Sequence, residues 1–566
     1  MRKVLLVALA VLVAAALALP ASAGPSGQAG TAAVAQPSGQ LQSANGEYVV
    51  AYADGASAAA AKAAIKAAGG TVVKENAQVG VATVKSSNPA FMAAVGRQSA
   101  LVGAARNRPI GKIPSGGRAA KEDVERLTAA ERAAAKASPK QAGRAPDQEP
   151  LADRQWDMRM IDATPSGSYR VNRGRRGVMV GIIDSGIDGN HPDLRSNFNR
   201  DLSRNFVTDI PLIDGPCEIP SCVDPVDVDD NGHGTHVAGL VASALNGLGT
   251  AGVAPKVTLV NIRGGQDGGF LFLQPTVDAM VYAGLVGIDV INMSFYTDPW
   301  LFNCLDNPAD SPEAQAEQRT VRVATQRAIN FARAHGVTPI ASMGNGHTDL
   351  GNPTEDATSP DFPPGTNYPR TVDNSCITVP VETRGVISIS ALGPSYRKAD
   401  YSNYGIEQTD FSAPGGFFRD YYLTDQYRQP ENMNLSPMPQ ALAEAALEDP
   451  ANVPFILRDC KGSTCGYYQY LQGTSMAAPH ATGVAALIVS AHGRRDPRHG
   501  GLTMSPRAVE RVMTRTAKQT PCPFPPVVTY PDRAPDLSYT ANCEGTLERN
   551  GFYGRGIVNA LTAVLD

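Results

Sequence analysis

Val178-Met179-Val180-Gly181-Ile182-Ile183 runs straight into Asp184-Ser185-Gly186-Ile187-Asp188. Six apolar residues without alternation read as a strand covered on both faces, as in a parallel sheet flanked by helices. The break at Ser185-Gly186 leaves Asp184 at the strand's C-terminal edge, where open α/β sheets collect ligands. Alone, an aspartate closing a strand is more often a turn residue. Outward from this stretch, an apolar run at Val286–Ile291 alternates with helical patterns at Pro275–Gly284, Thr320–His335 and Ser475–Ser490. No linker-like composition interrupts residues 151–566, so they are predicted to form one large α/β domain on a parallel sheet.

Upstream, residues 46–112 predict a small unit of their own. The apolar run Tyr48-Val49-Val50-Ala51-Tyr52 precedes an Ala/Lys helix stopped at Gly69-Gly70, and further runs follow at Thr71–Val73 and Val79–Val84. A helix with Asn88 as N-cap and Pro89 at its first position, then a run at Leu101-Val102, complete a β-α-β-β-α-β, ferredoxin-like α+β order. Residues 24–45 are a low-complexity spacer. Residues 113–150, rich in Ala, Lys, Arg, Glu, Gly and Pro, read as a partly helical linker open to cleavage. Met1-Arg2-Lys3, the apolar run Val4–Leu19 and Ala21-Ser22-Ala23 have the order of a secretory signal cut after Ala23, and the run is short for a membrane anchor.

The 566 residues are 43% hydrophobic and 18% charged, which excludes wholesale disorder. Net charge is +6 over residues 24–150 and −12 over residues 151–566, so the acidic part is a poor partner for nucleic acid. All eight cysteines follow residue 216, an even number that fits disulfides in an exported chain. Loop shortness pairs Cys217 with Cys222 and Cys460 with Cys465, and leaves Cys304, Cys376, Cys522 and Cys543 undecided. The spacings are not C-x-x-C and no histidine pair sits nearby, which argues against zinc.

Two further stretches carry chemistry. Asn231-Gly232-His233-Gly234-Thr235-His236-Val237-Ala238-Gly239 lets a helix start tightly against a neighbour and puts an imidazole at its beginning; two histidines three apart also suit a metal. Gly473-Thr474-Ser475-Met476-Ala477-Ala478-Pro479-His480 brings a serine into a helix of small residues, near unpaired backbone N–H donors; a plain N-cap serine reads the same way.

Together, Asp184-Ser185-Gly186-Ile187-Asp188, His233-Gly234-Thr235-His236 and Gly473-Thr474-Ser475-Met476-Ala477-Ala478-Pro479 closely resemble the subtilisin-like serine proteases, the subtilases. The resemblance spans roughly residues 151–566 and includes Asn190-His191-Pro192-Asp193, Gly252-Val253-Ala254-Pro255, Ile291-Asn292-Met293-Ser294, Gly344-Asn345, Phe411-Ser412-Ala413-Pro414-Gly415 and Gly554-Arg555-Gly556-Ile557-Val558-Asn559-Ala560. It implies a three-layer catalytic domain with Ser475 as nucleophile, His233 as general base and then acid, Asp184 as the carboxylate that orients the imidazole, and Asn345 as oxyanion donor. The choice of His233 over His236 comes from the family, not from spacing. The 46–112 module looks like the inhibitory pro-segment of many of these proteases, an intramolecular inhibitor and folding aid.

The implied function is a secreted, extracellular, monomeric serine endopeptidase, self-processed from its precursor within residues 113–151 and acting on protein or peptide substrates. The alternative is a catalytically silent binding protein on the same fold; an esterase would more naturally carry a G-x-S-x-G elbow. Neither nucleic acid nor, after signal cleavage, a membrane is an expected partner. The substrate-binding candidates are Ser294, Phe295, Tyr296, Met343 and Gly344, and Ser294-Phe295-Tyr296-Thr297 departs from the usual Ser-Leu-Gly-Gly. The chemistry needs no cofactor. Asp193 matches a calcium ligand of some subtilases, but the partner loop near Asn246–Thr250 is short and carries no carboxylate. An unusually long stretch between Gly415 and Gly473 either rims the cleft or lies away from it.

Overall fold

The computed structural model describes residues 46–107, 109–112, 149–208, 221, 223–297, 300–360 and 366–566. The expected signal, spacer, most of the linker and the Cys217–Cys222 pair lie outside the described residues.

Residues 47–106 form β1 (Glu47–Tyr52), α1 (Ala58–Ala67), β2 (Thr71–Asn76), β3 (Val81–Lys85), α2 (Phe91–Gly96) and β4 (Leu101–Arg106), with sheet order β2-β3-β1-β4 and antiparallel pairing throughout. This is the expected ferredoxin-like order. The second helix starts later than its cap signal suggested: Asn88 Oδ1 accepts from Ala90 N at 3.0 Å, so Asn88-Pro89-Ala90 is a turn ahead of Phe91. The sheet is buried on both faces. Val50, Ala82, Val84 and Ala104 pack with α1 and α2, while Val49, Val81 and Ala105 join the core of the larger domain.

β5 (Pro109–Lys112) leaves that sheet and pairs elsewhere, as described below. The larger domain then holds β6 (Met179–Ile183), β7 (Arg204–Asn205), α3 (His233–Ala242), β8 (Thr258–Arg263), β9 (Phe270–Phe272), α4 (Leu273–Val286), β10 (Val290–Met293), β11 (Tyr296–Thr297), α5 (Pro312–Ala334), β12 (Thr338–Ser342), β13 (Ile387–Leu392) and β14 (Phe411–Pro414). Seven strands make one parallel sheet in the order β14-β13-β12-β10-β6-β8-β7. Alternate side chains of the central strands enter opposite cores. Val180, Ile182, Leu259, Val290 and Ile340 face one; Ile183, Val260, Ile291 and Ala341 face the other. Cover on both faces is why β6 reads as an unbroken apolar run. The run at Val286–Ile291 proves mixed: Val286 ends α4, Gly287 (φ 80°) turns the chain, and the strand begins at Val290.

The stretch after Gly415 adds a small antiparallel sheet, β15 (Asn434–Met438), β16 (Ile456–Lys461) and β17 (Thr464–Leu471) in the order β15-β17-β16, with α6 (Gln440–Ala446) between its first two strands. α7 (Thr474–His492) then packs against α3 and the parallel sheet. Cys460 pairs with Cys465 as expected, and the four undecided cysteines pair as Cys304–Cys376 and Cys522–Cys543. Among the described residues no helix is long and apolar enough to cross a membrane.

The small sheet sits on α4 and α5. Asn76 Nδ2 donates to Asp278 Oδ1 at 2.8 Å, Arg106 N to Glu317 Oε1 at 3.2 Å, and Lys74 pairs with Asp278 at 2.7 Å. Arg327 on α5 pairs in the opposite sense with Asp54, so ion pairs cross this boundary in both directions. Gly103 lies tight against α5: a Cβ there would lie 2.7 Å from Thr320 Oγ1 and 3.3 Å from Ala316 O. Gly103→Val is therefore expected to cost about 1–3 kcal/mol of docking. Amide exchange in β1–β4 should rise relative to the parallel sheet; unchanged exchange would show that the contact is dispensable.

Candidate active site

β6 delivers Asp184 to the edge of the sheet with none of its surface exposed, and His233 opens α3 with 1% exposed. His233 Nδ1 lies 2.8 Å from Asp184 Oδ1. With the carboxylate accepting, Nδ1 carries the hydrogen and Nε2 is left bare, and Nε2 has no protein partner.

What holds this pair was not foreseen. Asp229, 3% exposed, accepts from Gly232 N at 2.9 Å, Asn231 N at 3.2 Å, Thr235 N at 2.9 Å, Thr235 Oγ1 at 2.6 Å and Ser185 Oγ at 3.0 Å. Ser185 Oγ in turn accepts from Gly234 N at 3.0 Å. A buried carboxylate thus takes up the Thr235 amide and the two amides just ahead of α3, and ties them to the residue after Asp184. Its sequence signal was the aspartate two residues before Asn231-Gly232-His233.

Ser475 lies in the first turn of α7, 4% exposed. Its Oγ donates to Ser294 O at 3.3 Å, and Ser294 Oγ donates to Ser475 O at 2.8 Å. Asn292 Nδ2 supports Ser294 Oγ at 2.8 Å and accepts, through Oδ1, from Thr482 Oγ1 at 3.0 Å. Ser294 therefore anchors the serine's backbone from the strand beside it.

Asn345 follows β12 in a half-buried turn. Thr474 N donates to its Oδ1 at 2.9 Å, and since a backbone N–H can only donate, this fixes which way the amide points. Thr474 Oγ1 adds a second donor at 2.9 Å and accepts from Gly344 N at 2.9 Å. The amide NH2 is left facing Gly473, whose Cβ position lies 3.3 Å from Nδ2. Thr474, adjacent to the serine, is thus a positioning residue that the sequence reading passed over.

The substrate-binding candidates divide. Phe295 is 2% exposed and Met343 fully buried, both in the core shared with α4 and α5, and Met343 S accepts from Thr409 Oγ1 at 3.3 Å. Gly344 is held by Thr474. Tyr296 lies in β11, which pairs antiparallel with β5: Tyr296 opposes Lys112, and Thr297 opposes Gly111. On its other edge β5 pairs with β9, Gly111 opposing Leu271 and Lys112 opposing Phe270. A strand from the small module is therefore the middle of a three-stranded sheet on the larger domain.

The insertion after Gly415 meets α3 directly. Ser436 Oγ donates to His236 O at 2.7 Å, and Leu442 Cδ1 lies 3.0 Å from the Cβ position of Gly232, the residue before His233. His236 Nε2 lies 3.1 Å from Asn434 O and 3.0 Å from Gln469 O, while its buried Nδ1 has no partner. The two histidines three apart thus turn their ring nitrogens to different partners, His233 to Asp184 and His236 to the Asn434 and Gln469 carbonyls. Among the described residues, a spacing that suits a cation occurs at Asp224, Asp230 and Asp267, where the buried Arg263 guanidinium already bonds Asp224 and Asp267.

A carboxylate-oriented imidazole at a sheet edge, with a serine at the head of the neighbouring helix, is the constellation of the serine hydrolases. The comparisons narrow this. The model of the subtilase family matches residues 175–554, and the chain belongs to that family. The model of the fervidolysin N-terminal prodomain matches residues 29–102. A thermophilic serine proteinase of Bacillus sp. (strain AK1) is 26% identical over 57% of this chain and 55% of its own length, so the chain spans about half of that relative. Subtilisin DY of Bacillus licheniformis is 28% identical over 55% of this chain and 77% of its own. A crystal structure of the epidermin leader peptide processing serine protease EpiP from Staphylococcus aureus, 20% identical, superposes with a TM-score of 0.60 over 92% of this chain and 97% of that one, a likeness of fold.

Burial lowers the His236 imidazole to about 3, because protonation would place an unpaired N–H at Nδ1 in the interior. The unfolded chain, titrating at about 6.5, binds this proton first, so the contribution is present above that pH and is lost as pH falls toward 3. In His236→Gln the dependence of stability on pH between 6 and 4 should be shallower by up to about 1.4 kcal/mol per pH unit, one proton's worth. Urea unfolding across that range reads it; an unaltered slope would remove His236 as the titrating group.

Proposed function

We propose that this chain is the precursor of a secreted serine endopeptidase whose own pro-domain occupies the substrate cleft. The observation that carries the reading is the pairing of Pro109–Lys112 between β9 and β11. Residues from outside the larger domain add a strand to its open edges, the way an extended peptide is bound through main-chain hydrogen bonds. The strand's direction is informative. Running antiparallel to β11, it heads from Tyr296 toward Ser294, two residues and about 7 Å further on, and Ser294 O is the group that Ser475 Oγ contacts. The first cut accordingly falls about two residues downstream of Lys112.

In this reading Ser475 Oγ attacks the carbonyl carbon while its proton passes to the bare Nε2 of His233. Asp184, accepting at Nδ1, keeps the ring in the tautomer that can take that proton and stabilises the imidazolium formed. The Ser475–Ser294 contact has to break for the hydroxyl to turn toward the imidazole, and such bonds tighten only when substrate is bound. The tetrahedral oxyanion meets Asn345 Nδ2 and the Ser475 N–H at the head of α7. His233 then returns the proton to the leaving amine, and water repeats the sequence on the acyl-enzyme. Export is supported by the basic, apolar and small-residue order of residues 1–23, and by the disulfide pairing of Cys304, Cys376, Cys460, Cys465, Cys522 and Cys543.

Ser475→Ala should accumulate as uncut chain and leave casein intact, whereas the unaltered chain should yield a new N-terminus about two residues after Lys112. A Ser475→Ala chain that matures and digests casein normally would overturn the mechanism. Asn345→Ala should mature slowly and lose about 10²–10³ in kcat with little change in KM, the size of loss measured for an oxyanion-hole donor in a subtilisin. Equal kcat in both chains would remove Asn345 from the oxyanion site.

A further inference from the structure

The resemblance to subtilases places a calcium ligand at Asp193, and the donor set found there does not fit a cation. Asp193 is fully buried; its Oδ1 accepts from Asn246 Nδ2 at 3.0 Å, and its Oδ2 from Thr250 N at 3.2 Å and Tyr468 Oη at 2.9 Å. A calcium ion needs six to eight oxygens presenting lone pairs. Each of the three groups bonded to this carboxylate presents a hydrogen instead.

The displacing group comes from the insertion. Tyr468 lies on β17, fully buried, edge-on to His191 with ring centroids 5.5 Å apart. Its phenol enters the loop 246–250 so deeply that a Cβ on Gly249 (φ 61°) would lie 1.8 Å from Oη. The same hairpin grips the loop's backbone. Asp459 Oδ2 accepts from Gly249 N at 2.8 Å, and Lys461 Nζ donates to Asn246 O at 2.7 Å. From the opposite side Glu149 Oε2 accepts from Gly247 N at 2.8 Å. The backbone carbonyl of Asn246, an oxygen a cation would use, is already served by an ammonium. What is held in this way is the end of the catalytic helix: α3 stops at Ala242, and Ala244 N donates to Asp193 O at 2.9 Å.

We propose that the β16–β17 hairpin takes the place of a calcium ion at the Asp193 loop, with Tyr468, Asp459 and Lys461 clamping residues 246–250 so that no cation binds there. The inference concerns the loop alone and stands whether or not the chain hydrolyses peptides. The test is thermal melting of the full chain carrying Ser475→Ala, which prevents self-digestion from altering the melt, in excess EDTA and then in excess CaCl2. Asp193→Asn and Tyr468→Phe are made in the same background. The chelator response should be the same with and without Asp193→Asn, and Tyr468→Phe, which keeps the ring but drops the hydroxyl, should melt about 2–4 °C lower in either buffer. A melting temperature that falls in EDTA, recovers in calcium, and loses this response in Asp193→Asn overturns the proposal. A Tyr468→Phe chain that melts like its parent overturns it as well, because the phenol would then hold nothing.

Discussion

Asp184 and His233 meet with almost no contact with water, and a buried carboxylate is tolerable only where donors meet it, here at Oδ1. One donor is the imidazole and another is the Ser185 amide, 2.7 Å from the same oxygen. The rest of the site can be understood as what keeps that imidazole in place. β6 fixes the aspartate because its neighbours β8 and β10 pair with it on both sides. α3 fixes the histidine because Asp229 accepts from Gly232 N and Thr235 N at the helix start and from Ser185 Oγ at the same time. A strand edge and a helix start are thereby joined through one carboxylate, so neither can shift without leaving a charge unpaired.

The pro-domain shows the same economy at a larger scale. A four-stranded sheet of 5–6-residue strands with two short helices has little core of its own. Its second face is apolar as well, at Val49, Val81 and Ala105, and is buried only against α4 and α5. Docking therefore completes the folding of the small sheet and simultaneously covers two helices of the larger one. β5 follows from that docking: once β4 is seated on α5, the chain has two residues in which to reach the groove between β9 and β11. Charge crosses this boundary in both senses, since Lys74–Asp278 and Arg327–Asp54 oppose each other.

Local periodicity made the architecture legible. The apolar run at residues 178–183, the small-residue helix after Gly473 and the β-α-β-β-α-β order each depend on neighbours a few positions away, and each appears in the structure. The family motifs around Asp184, His233 and Ser475 were legible because their residue types are rare in combination. Partners supplied from far along the chain were not. Thr474 orients Asn345 across 129 positions and Asp229 meets Ser185 across 44, and a threonine or aspartate in such company reads locally as a cap. The disulfides divide the same way: the Cys460–Cys465 separation of 5 is readable, whereas the separation of 72 between Cys304 and Cys376 becomes short only after α5 has folded back.

The insertion after Gly415 was undecided between cleft rim and distant ornament, and its contacts assign it a third place. All ten residues of α3 are buried, which the parallel sheet and α7 cannot achieve alone because a helix resting on a sheet keeps one face outward. β15 covers that outer face, with Pro437 against Gly239 and Ser436 on the His236 carbonyl. Leu442 sits at the helix's N-terminal Gly232, and Tyr468 holds the loop beyond its C-terminus. The insertion thus meets α3 at its middle and the residues just before and just after it. A helix made almost wholly of small and apolar residues can then carry a buried imidazole without a polar outer face to solvate it.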